Sequence, residues 1–256
     1  MKNVTIIGCG HGGQVLAYDL TKKGCTVTLA ALPDHPGYAP ALMQTREIKC
    51  SGMIEGTAQI HAVTTNLSVA LKDAEIIFIV VPSFAQEQVI LACMPHLQDN
   101  QWIVTLEANF SSLVYMDLLK RLNFKKQVNF ADISTLPYAC RSTKPGEVII
   151  MGIKKKMGVA AVPADKTEYI AKELNKVFPS QLQPYSSILE IGLNSLSGII
   201  HPGVTLCNAG RIGKEEFYFY KEGISPAVGH LLEQLDLERR HIGKLYDLEL
   251  PHCMVI

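Results

Sequence analysis

Val4-Thr5-Ile6-Ile7-Gly8-Cys9-Gly10-His11-Gly12-Gly13, running on into Gln14-Val15-Leu16-Ala17-Tyr18-Asp19-Leu20, is the stretch that decides the fold. Four β-formers enter three glycines spaced Gly8-x-Gly10-x-x-Gly13, and a helical pattern follows at once. In that strand–turn–helix setting each glycine has a task. Gly8 permits the tight turn, Gly10 lets a pyrophosphate approach the backbone, and Gly13 lets the helix pack close to the strand. Free N–H groups at the helix N-terminus then face the phosphates. A second strand, Cys25 to Ala30, arrives after Gly24 at the distance a βαβ unit needs.

Working outward, strand and helix signals alternate. Leu32 to Pro40 holds three prolines and a glycine and reads as loop; Asn66 to Lys72 reads as a short helix capped by Asn66. Ile76 to Val81 is apolar without a break and ends at Pro82-Ser83. Such a run suits a strand covered on both faces. A helix is expected over Ser83 to Leu97, a buried strand over Trp102 to Leu106, a helix over Ser111 to Leu122 and a strand at Val128 to Asp132. Glu147 to Ile153 and Val159 to Val162 read as a strand pair around Lys154-Lys155-Lys156, and Asp165 to Phe178 as an amphipathic helix. From Ser186 onward strand signals stop. Ile188 to Ile200 is helical, His201-Pro202-Gly203 is expected to break it, and a last helix opens at Ser225-Pro226 with Ser as N-cap. The fold class expected is α/β: a Rossmann-type doubly wound parallel sheet over 1–182, then a short all-helical domain over 183–256.

Composition narrows the function classes. Lys+Arg and Asp+Glu stand at 24 each, which leaves no electrostatic footprint for nucleic acid or an anionic membrane. No apolar run reaches the length of a membrane span, and no signal-peptide pattern precedes the first strand, so a cytoplasmic location is expected. Seven scattered cysteines without a CxxC pair point to no metal site.

Ligands in doubly wound sheets lie beyond the carboxyl ends of the strands. Cofactor contacts are therefore expected from Gly8, Gly10, His11, Gly12 and Gly13, from Ala30 at the end of the second strand, and from Pro82. His11 and Cys9 read as loop fillers beside a pyrophosphate. An acid that would hold the ribose hydroxyls of NAD is missing, since Ala30 and Ala31 occupy its place and Asp34 comes late. The first arginine that could claim a 2′-phosphate is Arg46, so the cofactor class reads as NAD or NADP. His201 is the candidate acid/base, placed at a helix end by its His-Pro pair, with Asn194 on the same face at spacing i, i+7. Arg141 closes Thr135 to Arg141, a segment poor in charge, and suits a substrate carboxylate.

Taken in order, the glycine loop, Leu136-Pro137-Tyr138-Ala139-Cys140-Arg141, Leu193-Asn194…His201-Pro202, Leu206 to Ile212, Phe219 to Pro226 and Asp236-x-Glu238-Arg239 resemble the opine dehydrogenase family of octopine/nopaline type. The resemblance implies NAD(P)H-dependent reductive condensation of an amino acid with an α-keto acid through an imine. The apolar surface that so short a helical domain would expose points to self-association, with a homodimer expected. It implies His201 as general acid/base, Asn194 as its orienter or a substrate ligand, and Arg141 as the carboxylate ligand. Members of that family are longer, and the acid that pairs with their histidine lies in the further C-terminal portion; this chain ends before it. Asp236 and Glu238 read as a solvated helix face. Two other readings stay open. One is a β-hydroxyacid or ketopantoate-type reductase, with Lys214 or Lys221 as the acid/base. The other is a truncated, non-catalytic dinucleotide-binding protein.

Overall fold

The structure, a computed structural model, describes residues 2–253. The chain divides into two compact units, Met1–Ile191 and Gly192–Ile256. In chain order the first unit opens with β1 (Asn3–Ile7), α1 (His11–Lys22), β2 (Thr26–Ala30) and α2 (Ala39–Thr45). Next come β3 (Glu47–Gly52), β4 (Gly56–Gln59), β5 (Ala62–Thr64), α3 (Leu67–Leu71), β6 (Ile76–Ile79) and α4 (Ser83–Cys93). β7 (Trp102–Leu106), α5 (Ser111–Arg121), β8 (Asn129–Ile133), β9 (Tyr138–Lys144) and β10 (Glu147–Ile153) follow. β11 (Lys156–Val162), α6 (Thr167–Leu174) and β12 (Gln181–Pro184) complete its strands, and the boundary between the units falls within α7 (Ile188–Asn194). The second unit carries α8 (Ser197–Cys207) and α9 (Pro226–Leu245).

The main sheet has eight strands in the order β12-β11-β8-β7-β6-β1-β2-β5, parallel except where β11 runs against β8. Its central strands β6, β7 and β8 are buried on both faces, and residue parity assigns each side chain to a side. Val4, Ile6, Ile76 and Phe78 pack with Val15, Leu16 and Leu20 of α1 and with Ile170 and Leu174 of α6. Ile7, Ile77, Ile79 and Ile103 pack with Leu71, Ile90, Tyr115 and Leu119 of α3, α4 and α5. The continuous apolar run at Ile76–Ile79 is thus two alternating faces, each with its own helix layer. The Asn66 side chain caps α3 by accepting the N–H groups of Ser68 and Val69 at 3.0 and 3.3 Å, as its sequence predicts.

Two expectations fail here. Glu147–Ile153 and Val159–Val162 do not pair with one another. β10 joins a separate four-stranded sheet, order β4-β3-β10-β9, while β11 joins the main sheet. β9, β10 and β3 form the half-buried strands of that sheet, and its inner residues Ile48, Cys50, Cys140, Val148 and Ile150 extend the core around α1.

The second correction concerns the second unit. His201-Pro202-Gly203 does not break a helix: α8 runs through it with Pro202 inside, and the interruption falls at Ser195–Leu196 instead. Pro202 sits in the second turn and removes a single N–H from the ladder. Gly203 lets α8 approach α9 closely, since a Cβ there would lie 2.8 Å from Leu232 Cδ2. Ile199, Val204, Val228 and Leu232 form the core of this contact. Packing against α9 outweighs the local cost of proline. Ser225 caps α9 as expected, its Oγ accepting Val228 N–H at 3.3 Å.

Candidate functional site

In the first unit the glycine loop divides its labour as the sequence predicts. Gly8 has φ +125°, and a Cβ on it would lie 2.2 Å from the Val80 carbonyl oxygen. A Cβ on Gly13 would lie 1.7 Å from the Gly8 carbonyl oxygen, so only glycine lets α1 start this close to β1. Gly10 is different: nothing lies within 4 Å of the position its Cβ would take. That open space, at the N-cap of α1 with no side chain capping the first turn, is where a pyrophosphate can reach the backbone N–H groups. The residues fit a dinucleotide.

The loop borders a cleft of about 350 Å³. Gly8, Cys9 and Gly10 form one wall; Ala31, Leu32, His35 and Gly37 continue it past the end of β2; Val80, Val81, Pro82, Phe84, Ala85 and Gln88 lie opposite. Pro82 is thus both a wall residue and the N-cap of α4. Ala30 is fully buried and contributes through its carbonyl, which accepts the Gly8 N–H at 2.8 Å, while Ala31 reaches the cleft. Burial pushes the Cys9 thiol up to about 12, so it is neutral and unreactive, as a loop filler should be.

Gln14, which no sequence motif singles out, is fully buried just after the last glycine. Its Nε2 donates to the carbonyls of Cys9 (3.2 Å) and Gly10 (3.3 Å) and to Ser142 Oγ (3.1 Å), and its Oε1 accepts the Gly146 N–H at 2.9 Å. His11 Nδ1 accepts the Ser142 N–H at 2.8 Å. The glycine loop is therefore clasped to the β9–β10 hairpin. A polar side chain on the buried face of a helix beside a ligand loop was the available signal. Arg141 rides on β9, exposed, with Nη1 donating to its neighbour's carbonyl, Cys140 O, at 2.8 Å.

In the second unit His201 lies within α8 and is exposed. Its Nε2 shares a hydrogen bond of 2.8 Å with Tyr220 OH, and Phe219 meets its ring edge-on at 6.0 Å between centroids. Nothing in the sequence singles out Tyr220. It is presented by the 208–224 loop, which Asn208 fixes through Nδ2 bonds to Val204 O and Gly223 O, 2.9 Å each. Asn194 ends α7, half-buried, so it and His201 belong to different helices and the expected i, i+7 relation does not hold. Lys214 and Lys221 are exposed in the same loop.

Asp236 also departs from expectation: it is fully buried, not solvated. Arg239 Nε and Nη2 donate to its Oδ1 at 2.9 and 2.7 Å, and Arg240 approaches Oδ2 at 3.0 Å. Burial raises its carboxyl, but these guanidinium groups hold it below the ordinary value. Arg239 also binds the carbonyls of Leu193 (2.7 Å) and Pro251, so the cluster ties α9 to α7 and to the following chain.

A mostly parallel sheet wound on both faces, with an open glycine at a helix N-terminus, defines a Rossmann-type dinucleotide-binding protein. Comparison with known proteins agrees along both halves. The family model for the NAD-dependent glycerol-3-phosphate dehydrogenase N-terminus matches residues 3–112. The model for the α-helical domain of NAD/NADP octopine/nopaline dehydrogenase matches 184–256. An opine dehydrogenase of Arthrobacter sp. (strain 1C) is 30% identical over 98% of this chain and 69% of its own length. Vitopine synthase of Allorhizobium ampelinum is 27% identical over 97% of this chain and 69% of its own. The chain belongs to the opine dehydrogenase family, and its nucleotide is NAD or NADP. An octopine dehydrogenase solved with NADH and pyruvate shares the fold at TM-score 0.79 and 22% identity, covering 95% of this chain and 65% of that one. Yersinopine dehydrogenase with NADP+ gives 0.77 at 18% identity, covering 98% and 66%. The chain thus spans about two thirds of the length of these relatives. Among the described residues no helix is long and apolar enough to cross a membrane.

Proposed function

We propose that this protein catalyses the NAD(P)H-dependent reductive condensation of an amino acid with an α-keto acid, giving a secondary amine dicarboxylate through an imine. The observation that carries the reading is the likeness to the Arthrobacter opine dehydrogenase along 98% of the chain. Octopine dehydrogenases of the same fold, solved with pyruvate and with L-arginine, support these substrate classes.

Gly8, Gly10, His11, Gly12, Gly13, Ala30 and Pro82 hold the cofactor, which when bound supplies the hydride. Arg141 pairs with a substrate carboxylate, for which a planar guanidinium is suited. His201 moves the proton: it takes one from the incoming ammonium so that the amine can attack, and returns one as the carbinolamine loses water. Tyr220, on Nε2, keeps the ring from rotating. Asn194 orients the amino-acid substrate. The functional boundary in this reading lies at 182/183, and a cytoplasmic homodimer completes it. The exposed Leu231, Ile242 and Leu245 on α9 support the dimer.

The test is oxidation of NADPH or NADH with pyruvate and a panel of amino acids, in wild type and His201→Ala. Oxidation should require both substrates and fall by about 10²–10⁴-fold in the variant, the usual size of general acid–base catalysis. Equal rates in the two proteins would remove His201 from the chemistry.

A further inference from the structure

The cleft beside the glycine loop carries an unusual balance of charge. At the end of β2, where an acid would accept the ribose hydroxyls of NAD, Ala30 and Ala31 stand instead. Among the described residues no carboxylate lines this cleft, and Asp34, exposed on the turn, is not one of its walls. Nor does the first arginine beyond β2 serve it, since Arg46 donates to the His61 carbonyl at 3.1 Å. The one side chain of the walls able to carry positive charge is His35. Its place is fixed by the backbone: His35 N–H donates to Leu32 O at 3.1 Å, closing a tight turn that leaves the imidazole exposed at the rim.

An acid at this site would repel a 2′-phosphate and reward a free ribose diol; its absence removes both effects. A histidine donor then favours the dianion, because a charge-assisted hydrogen bond outweighs a neutral one. We propose that His35 is the specificity residue of the cofactor site and that the cleft takes the 2′-phosphorylated dinucleotide, NADP(H), in preference to NAD(H). This rests on the dinucleotide reading of the cleft and not on the identity of the opine.

The test is calorimetric titration of the full chain with 2′,5′-ADP and with 5′-AMP, which differ only in the phosphate at issue and require no turnover. Wild type should bind 2′,5′-ADP about tenfold more tightly, the worth of one charge-assisted hydrogen bond. His35→Ala should erase that gap and leave 5′-AMP affinity unchanged, while His35→Arg should restore or widen it. The exposed side chain and the backbone-made turn leave both variants folded. Equal binding of the two nucleotides by wild type overturns the proposal, as does an equal loss for both in His35→Ala. Binding of neither nucleotide overturns the dinucleotide reading, and this proposal with it.

Discussion

Asp236 shows how a single residue can be mistaken from its chemistry and understood from its spacing. Charged and followed by Glu238 and Arg239, it resembles surface. Yet it lies four residues after Leu232, on the stripe Val228, Leu232, Asp236, Arg239, Gly243 that α9 buries. Its carboxylate is matched by Arg239 inside and by Arg240 at the edge. Removing one partner of such a pair strands the other without water, so Asp236→Ala should cost about 3–5 kcal/mol in urea denaturation. The pH dependence follows from the lowered carboxyl. The stabilisation is fully present above the unfolded carboxylate value of about 3.9 and is lost as pH falls below it through the lower folded value. The stability difference between wild type and Asp236→Asn should accordingly be large at neutral pH and shrink in acid. A difference that stays constant from pH 7 to pH 3 would mean the charge is not what matters there.

At the scale of elements, the glycine loop was legible because its constraints are local: a positive φ, a close approach and an open position, all within six residues. These make opposite predictions for the same substitution. Gly13→Ala drives a methyl into the Gly8 carbonyl and should destabilise the first unit by several kcal/mol, roughly the cost of overpacking plus backbone shift. Gly10→Ala meets no atom and should leave the melting temperature unchanged while weakening dinucleotide binding by tenfold or more, an effect of about 1.4 kcal/mol or above. Paired thermal melts and nucleotide titrations on the two variants separate the roles, and a Gly10→Ala protein that binds normally would place the pyrophosphate elsewhere. The β9–β10 hairpin was not legible in the same way. Its partner β3 lies about a hundred residues earlier, and long-range pairing leaves no periodicity in either strand to announce it. The continuity of α8 through Pro202 was misjudged for a related reason. The proline's local cost is visible in the sequence, whereas the close seat of Gly203 on Leu232 that offsets it is not.

At the scale of the whole molecule, the alternating pattern of strand and helix was enough to establish the doubly wound sheet, because burial on both faces is written into each continuous apolar strand. Of the candidate site, the glycine turn was legible from its spacing, whereas the roles proposed for His201 and Arg141 rest on the family resemblance. Gln14, Tyr220 and His35 emerged only from the folded chain, since each acts through contacts its neighbours in sequence do not make. The central claim is the proposed one, that this protein reduces an imine and not a free keto acid. Its most direct measurement uses NADPH deuterated at the transferable position of the nicotinamide, with pyruvate and an amino acid, and mass spectrometry of the products. One deuterium should appear in a secondary amine that joins both substrates, and none when the amino acid is omitted. Deuterium in the hydroxy acid, formed from pyruvate alone, or transfer to no product with any amino acid, would contradict the account.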